Sequence, residues 1–440
     1  MAFLLLIIYL AAFSGGSGTP PASTTSTTSH SAHDTVSYTH FPKNSPLNPG
    51  WTGSGQSVTL GFGGDVHFEG TVGQSLAADP STALGTAVPQ LFAGTAVSMV
   101  NLESVVTDGT CPEPQNKQYI FDAPASAVTA LKSARISLVT EANDHGYDCG
   151  AEGLSQNLTI ATQDAYPIIG IGNNAAQALT PFRATVDGQR IAIIAATQVI
   201  DSNLVSTWTA TGTQPGVASA IDPTALVSEV QQVRKTADTV VVFLHWGTET
   251  QSCPNPQQEP LAQQLVKAGA DIVVGSNSHV LSGAGYLGSA YVDYGLGNFA
   301  FYDTNPPETN SGSLIVTAEG RRITSAIFRP ATIVAGLPQP LTGQAATSAV
   351  QSWNSARSCT NLSVIPSRSM ATLSGETKAF VAPPTTTTTS SATGASGGTG
   401  GAATTTTTFS AATTTNTRPR TTTTTKPSST TTSPTDNAGG

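Results

Sequence analysis

The 440-residue chain has a formal net charge of −9 with only 10% charged residues. It therefore has no basic surface to gather phosphate backbones, which excludes non-specific nucleic-acid binding. Its length admits two ordinary domains, but composition removes both ends from the folded part. Ala2–Phe13 is uninterrupted apolar sequence followed by Ser-Gly-Gly-Ser-Gly, too short for a membrane span and matching a signal-peptide core. No Lys or Arg precedes it, so a cleaved signal (1–14) and a short membrane anchor both stay open, and either predicts an exported chain. Residues 15–50 read as a disordered Ser/Thr/Pro-rich linker. From 51 to 335, short β-branched runs alternate with helical segments, as expected of an α/β sheet covered on both faces. Ser57–Phe62, Ala96–Val100, Ile136–Thr140, Ile191–Ala195, Thr239–Leu244, Asp271–Val274 and Ala290–Tyr294 read as buried strands. Ser313–Glu319 and Arg322–Arg329 read as a hairpin turning at Gly320. Helices are predicted over Ala125–Ala134, Glu152–Asp164, from Asp222-Pro223 to Ala237, and over Pro260–Ala268 with a stop at Gly269. Residues 336–383 are left as a C-terminal appendage. The tail from 384 to 440 is nearly all Thr, Ser, Ala, Gly and Pro, and cannot bury enough apolar surface to order itself.

Four cysteines, Cys111, Cys149, Cys253 and Cys359, are too widely spaced for a zinc knuckle and even in number. An oxidising compartment favours two bridges, and Cys111–Cys149 with Cys253–Cys359 closes the shorter loops; four buried thiols are the alternative.

The residues at the strand ends are more informative than the strands themselves. The runs end in Gly64-Asp65-Val66-His67, Asn101-Leu102-Glu103, Asn143-Asp144-His145, His245-Trp246-Gly247, Ser276-Asn277-Ser278-His279 and Gly295-Leu296-Gly297-Asn298. Ligands of open α/β sheets bind outside the carboxyl ends of strands, so these groups would share one crevice. Carboxylates, amides and imidazoles gathered there suit a divalent transition metal. Any one of them alone reads as a turn cap. Six in succession, carrying four of the chain's seven histidines, do not. Trp246 reads as a packing residue or a stacking surface for substrate. No Gly-x-Ser-x-Gly elbow comes after a strand, which argues against a serine hydrolase. No Lys-Ser/Thr comes after Gly61–Gly64, which reads as a tight turn rather than a phosphate loop.

Taken together, over 55–305, these motifs resemble the capsule-synthesis (CapA) branch of the calcineurin-like metallophosphoesterases. The resemblance implies a four-layer α/β/β/α sandwich and a role in making, exporting or anchoring an extracellular polymer such as poly-γ-glutamate at the cell wall or membrane surface, or in cleaving a phosphate-containing substrate. It implies one or two divalent ions, Mn²⁺ or Zn²⁺, held by Asp65, His67, Glu103, His245, His279 and Asn277. His145 and Asp144 would be catalytic, and Asn143, Trp246 and Asn298 would contact substrate. Two departures stand out: Asp144 falls where the family usually has Asn, and Asn277 replaces a His. A non-catalytic surface module on the same fold is the alternative reading.

Overall fold

The computed structural model describes residues 39–43, 46–47 and 53–367. The expected signal or anchor, most of the linker and the Thr-rich tail lie outside the described residues. Among the described residues, no helix is long and apolar enough to cross a membrane.

The strands form two large sheets rather than one. The first, eight-stranded, runs Leu337–Pro340, Arg322–Val334, Asn310–Glu319, Val58–Val66, Val97–Leu102, Leu138–Thr140 and Ile168–Ile169, with Asn298–Ala300 added beside the end of Val58–Val66. The second, six-stranded, runs Ala284–Leu287, Ala290–Asp293, Ile272–Ser276, Thr239–His245, Gln189–Thr197 and Phe182–Val186. The period-two alternation of strand side chains explains the layering. In Thr239–His245, Val241 and Phe243 pack between the sheets with Leu60, Phe62 and Ile193. Val240, Val242 and Leu244 point the other way, onto Leu226 and Val230 of the Thr224–Val233 helix and Leu261 and Leu265 of the Gln258–Ala268 helix. On the far face of the first sheet, Val100 and Leu102 meet Val128 and Leu131 of the Ser126–Ser133 helix. Helix, sheet, sheet, helix is the four-layer order.

Most strands lie close to their predicted positions, but the strand ends extend into the motifs. Val58–Val66 runs straight through Gly63 and Gly64, so no tight turn precedes Asp65. Gly64 is needed for a different reason: a Cβ there would lie 1.7 Å from the Gly297 carbonyl oxygen, which accepts the Asp65 N–H at 2.9 Å. The helix stop at Gly269 holds, with φ at 122°.

Residues 337–367 are built into the sandwich and are no loose appendage. Leu337–Pro340 is an edge strand of the first sheet, and the Gly343–Ala356 helix inserts Trp353 into the layer between the sheets, stacked on Phe328 at 4.7 Å. Both expected disulfides are present. Cys111–Cys149 closes a separation of 38 residues and Cys253–Cys359 one of 106.

Candidate metal centre

The parallel strands of each sheet end on one side, which delivers their terminal residues to a common crevice. Asp65 pairs with Asn101 across the first sheet, and His245 with Ser276 across the second. The two sheets meet where Asp65, Glu103 and His245, all buried, bring ligand atoms within 4.8 Å of one another. Of the eleven residues proposed from sequence, these three form the tight group.

Two carboxylates and an imidazole without bulk water form a costly cluster. Burial pushes the Glu103 carboxyl well above its usual range, and the neighbouring Asp65 and Asp144 charges push it further. A cation held among the three would offset both effects, and the mixed O/N donor set suits Mn²⁺ or Zn²⁺. The donors therefore fit a divalent ion.

Asn101, one of the strand-end amides but given no role of its own by the motifs, sits at the middle of this group. Its Nδ2 lies 2.9 Å from Asp65 Oδ1, 3.1 Å from Glu103 Oε1 and 3.1 Å from His245 Nδ1. Asn143 donates to the Asn101 Oδ1 at 2.9 Å and so aims the amide inward. Asn143 also donates to the Leu102 carbonyl and accepts the His145 N–H. Its assignment to substrate is thus corrected: it is fully buried and braces Asn101 and His145.

Asp144 reaches His245 from the other side, with Oδ1 3.0 Å from Nε2. The charges of His145 and Lys117 and the hydrogen bond from His245 outweigh burial and hold the Asp144 carboxyl well below its usual range. As an ionised carboxylate it can only accept, so Nε2 of His245 carries the proton and the Nδ1 lone pair faces Asp65 and Glu103. Asp144 therefore fixes a His245 tautomer whose Nδ1 can face a cation.

His145 stands beside this group as half of a dyad. Its Nδ1 lies 2.7 Å from Asp148 Oδ2, which leaves Nε2 3.7 Å from Asp144 Oδ2. The Phe121 ring stacks on the His145 imidazole at 4.1 Å, and the Phe121 N–H donates to Asp148 Oδ2 at 2.7 Å. Lys117, almost wholly buried, places Nζ 3.1 Å from Asp148 Oδ1 and 3.9 Å from Asp144 Oδ2, over the Trp208 indole at 5.0 Å. Lys117 and Phe121 come from the loop that Cys111–Cys149 ties down. Neither belongs to a strand-end motif, and long-range placement of this kind leaves no local pattern to read.

The remaining candidates divide. His279 adjoins Asp65, with Nδ1 3.5 Å from Oδ2, and Asn298 holds the same nitrogen at 2.8 Å. The Asp65 carboxylate pushes the His279 pKa up against the effect of burial. Four expected roles need correction. His67 lies outside the group: backbone N–H groups of Glu69 and Tyr302 point at its two ring nitrogens, Phe121 and Phe301 pack on it, and burial drives its pKa down to about 3. Asn277 meets Asp65 through its backbone N–H at 3.2 Å, while its side chain bonds to the Trp246 carbonyl. Trp246 is fully buried, stacked on Tyr294 with its indole N–H on the Tyr294 carbonyl, so it packs the sheet. Asn298 is likewise buried and ties His279 to Asp303.

Comparison with known proteins matches residues 59–303, more than half of the chain, to the family described as bacterial capsule synthesis protein PGA_cap. The chain belongs to this family. It is 31% identical over 234 residues to the capsule biosynthesis protein CapA of Bacillus anthracis, covering 52% of this chain and 55% of that one. It is 31% identical over 216 residues to the PGA biosynthesis protein CapA of Bacillus subtilis, covering 49% and 55%. A probable polyglutamine synthesis accessory protein of Mycobacterium tuberculosis is 27% identical over 192 residues, covering 42% and 50%. The chain thus spans about half the length of the curated relatives it matches. Similar solved structures include a phosphatase of Mycoplasma pneumoniae (TM-score 0.38, 12% identity, 63% of this chain and 94% of that one). Another is the sulfate thiohydrolase SoxB of Thermus thermophilus (TM-score 0.38, 11% identity, 71% and 62%). The four-layer α/β/β/α fold of this PGA_cap member stands on its own two sheets and their helix layers.

Proposed function

We propose that this chain is a metal-dependent hydrolase of phosphoesterase type that serves the synthesis or anchoring of an extracellular poly-glutamate capsule. The observation that carries the reading is the buried convergence of Asp65, Glu103 and His245 beside the His145–Asp148 dyad. A bound divalent ion would supply Lewis acidity toward a phosphoryl oxygen and activate water at neutral pH. Asp65, Glu103 and His245 would hold it, with His279 alongside. Asp148 keeps the Nδ1 proton of His145 in place and sets the ring plane. Nε2 of His145 then faces the cleft, where it hands a proton to the departing oxygen. Phe121 stacks on that ring and keeps water from its face. Two disulfides favour action outside the membrane, at the wall or membrane surface, where the polymer would be the partner.

Elemental analysis of the purified full-length protein, with hydrolysis of bis(p-nitrophenyl) phosphate, tests the proposal. One or two Mn²⁺ or Zn²⁺ per chain and turnover lost on Asp65→Ala are expected. A folded protein with neither metal nor turnover would overturn it.

One observation favours a second reading, a non-catalytic module that holds polymer. The Asn101 amide already contacts all three ligand atoms, so the cluster has a partner without metal. That reading expects polymer co-sedimentation to survive both chelator and Asp65→Ala.

A further inference from the structure

The Asn101 side chain is locked in one orientation by groups that have no choice of role. The Leu102 carbonyl can only accept and the His145 N–H can only donate. Asn143, bonded to both, therefore turns its NH2 to Leu102 at 2.7 Å and its oxygen to His145 at 2.9 Å. The same NH2 reaches the Asn101 oxygen at 2.9 Å. The NH2 of Asn101 is thereby left facing Asp65, Glu103 and His245, with Nδ2 2.9 Å from the first and 3.1 Å from each of the others.

The donors around this cluster match its acceptors one for one. The two Asn101 amide hydrogens suit Asp65 Oδ1 and Glu103 Oε1. Nδ1 of His245 is met by the fully buried Ser276 hydroxyl at 3.1 Å. Because His245 carries its proton on Nε2, toward Asp144, the hydroxyl is the donor in that bond. The Asn277 N–H adds a bond to the second Asp65 oxygen at 3.2 Å. Neutral groups of the chain thus satisfy all three ligand side chains, which offsets much of the cost of burying them.

This arrangement competes with a metal. An imidazole nitrogen has one lone pair, so Nδ1 cannot hold a hydrogen bond and a cation together. Nδ2 of Asn101 lies where the three ligand atoms converge, and a half-turn that offered the Asn101 oxygen instead would set its NH2 against the NH2 of Asn143. We infer that Asn101, seconded by Ser276, is a built-in stand-in for the divalent ion. It satisfies the ligand side chains in the metal-free chain and has to yield before an ion enters, so it sets how tightly the ion is held. The inference rests on the reading that a divalent ion belongs at this centre. Its signature is a reversed sign: removing Asn101 strengthens metal binding, whereas removing a ligand weakens it.

Calorimetric titration of Mn²⁺ into the full-length protein stripped with chelator tests this. Asn101→Ala should bind Mn²⁺ at least about tenfold more tightly than the parent, the scale of one hydrogen bond to a charged group. Ser276→Ala, a smaller excision, should tighten binding by less. Without metal both variants should unfold at lower urea than the parent, and Mn²⁺ should narrow the gap. An Asn101→Ala chain that folds only when Mn²⁺ is supplied also bears the inference out. Weaker or unchanged Mn²⁺ binding by the folded variants overturns it, because Asn101 is then a ligand or a bystander. So does a parent that unfolds on stripping, since the amide then replaces nothing. Failure of the metal reading looks different. A parent that takes up neither Mn²⁺ nor Zn²⁺ refutes that reading, yet binding gained in Asn101→Ala upholds the stand-in, and no binding in either protein ends both.

Discussion

The Asn277–Leu281 loop divides two concavities of opposite character. Toward the metal centre it offers the Asn277 N–H and the His279 ring to Asp65, among carboxylates, imidazoles and a buried lysine. Toward the cavity it offers Val280 and Leu281, among alanines, serines and Trp353. In the cleft nearly every polar group is held by a neighbour: Asn143 aims Asn101, Asp144 sets the His245 tautomer, Asp148 orients His145. The lining of the cavity carries few polar groups and no charged one. Charge can be buried only inside such a network, whereas isolated neutral donors can be left waiting at modest cost. The cleft is therefore expected to fail when one member is removed, and the cavity to tolerate single changes.

The sharpest separation between the two should come from Asp148→Asn. The dyad loses its orienting carboxylate and the Nδ1 proton its preferred acceptor, while Asp65, Glu103 and His245 are untouched. Turnover of bis(p-nitrophenyl) phosphate should fall about 100- to 10,000-fold, the range typical of a positioned acid or base. Metal content by elemental analysis should not change. Loss of metal in this variant would join the dyad to the metal shell and break the division of roles.

The two disulfides extend the comparison, one behind each concavity. Cys111→Ser with Cys149→Ser frees the loop that presents Lys117 and Phe121 to His145; Cys253→Ser with Cys359→Ser frees the helix that carries Trp353. By loop-closure entropy each pair should cost about 3–5 kcal/mol in chemical denaturation, the longer loop more. Their other effects should differ. The first pair should lower turnover beyond its loss of stability, and the second should leave turnover and metal binding alone in the folded protein. Identical activity losses from both would mean that the cleft depends on the whole fold rather than on its own loop.

The range of the forces involved decides how far these regions are legible in sequence. The strands and the ligand trio are readable because β-branched runs and their terminal Asp, Glu and His are local patterns. That the strands divide into two facing sheets is not: the same alternation of Val241 and Val242 fits one sheet or two, and only the family resemblance implies the four layers. Asn101 escapes notice because an amide after a strand usually caps a turn. Trp246, Asn143 and Asn298 become substrate contacts only through the resemblance; in the fold all three are buried, Trp246 stacked on Tyr294 and Asn143 and Asn298 hydrogen-bonded to Asn101 and His279. Lys117, Phe121 and the Trp353 cavity arise from loops and a helix brought in from far along the chain, and no local spacing announces them.

The smallest expected effect lies in the second sheet at Asp293, which pairs with Val274. This acid is fully buried, with one oxygen accepting the Gly295 N–H at 2.9 Å and the other without a partner. Burial pushes its pKa up to about 8 from an ordinary 3.8. The folded state therefore keeps a proton that the unfolded chain releases near pH 4. Across the window from about pH 4 to about pH 8, unfolding releases a proton at this site, so its contribution to stability falls as pH rises. Asp293→Asn keeps the acceptor for Gly295 and removes the titration. Between pH 6 and pH 7 the parent should lose about 1.4 kcal/mol more stability than the variant, measured by urea denaturation at each pH. Because Asn preserves the neutral shape, turnover should stay at the parental level. Equal pH slopes in the two proteins would mean that Asp293 is ionised in the folded state and that an unseen partner stabilises its charge.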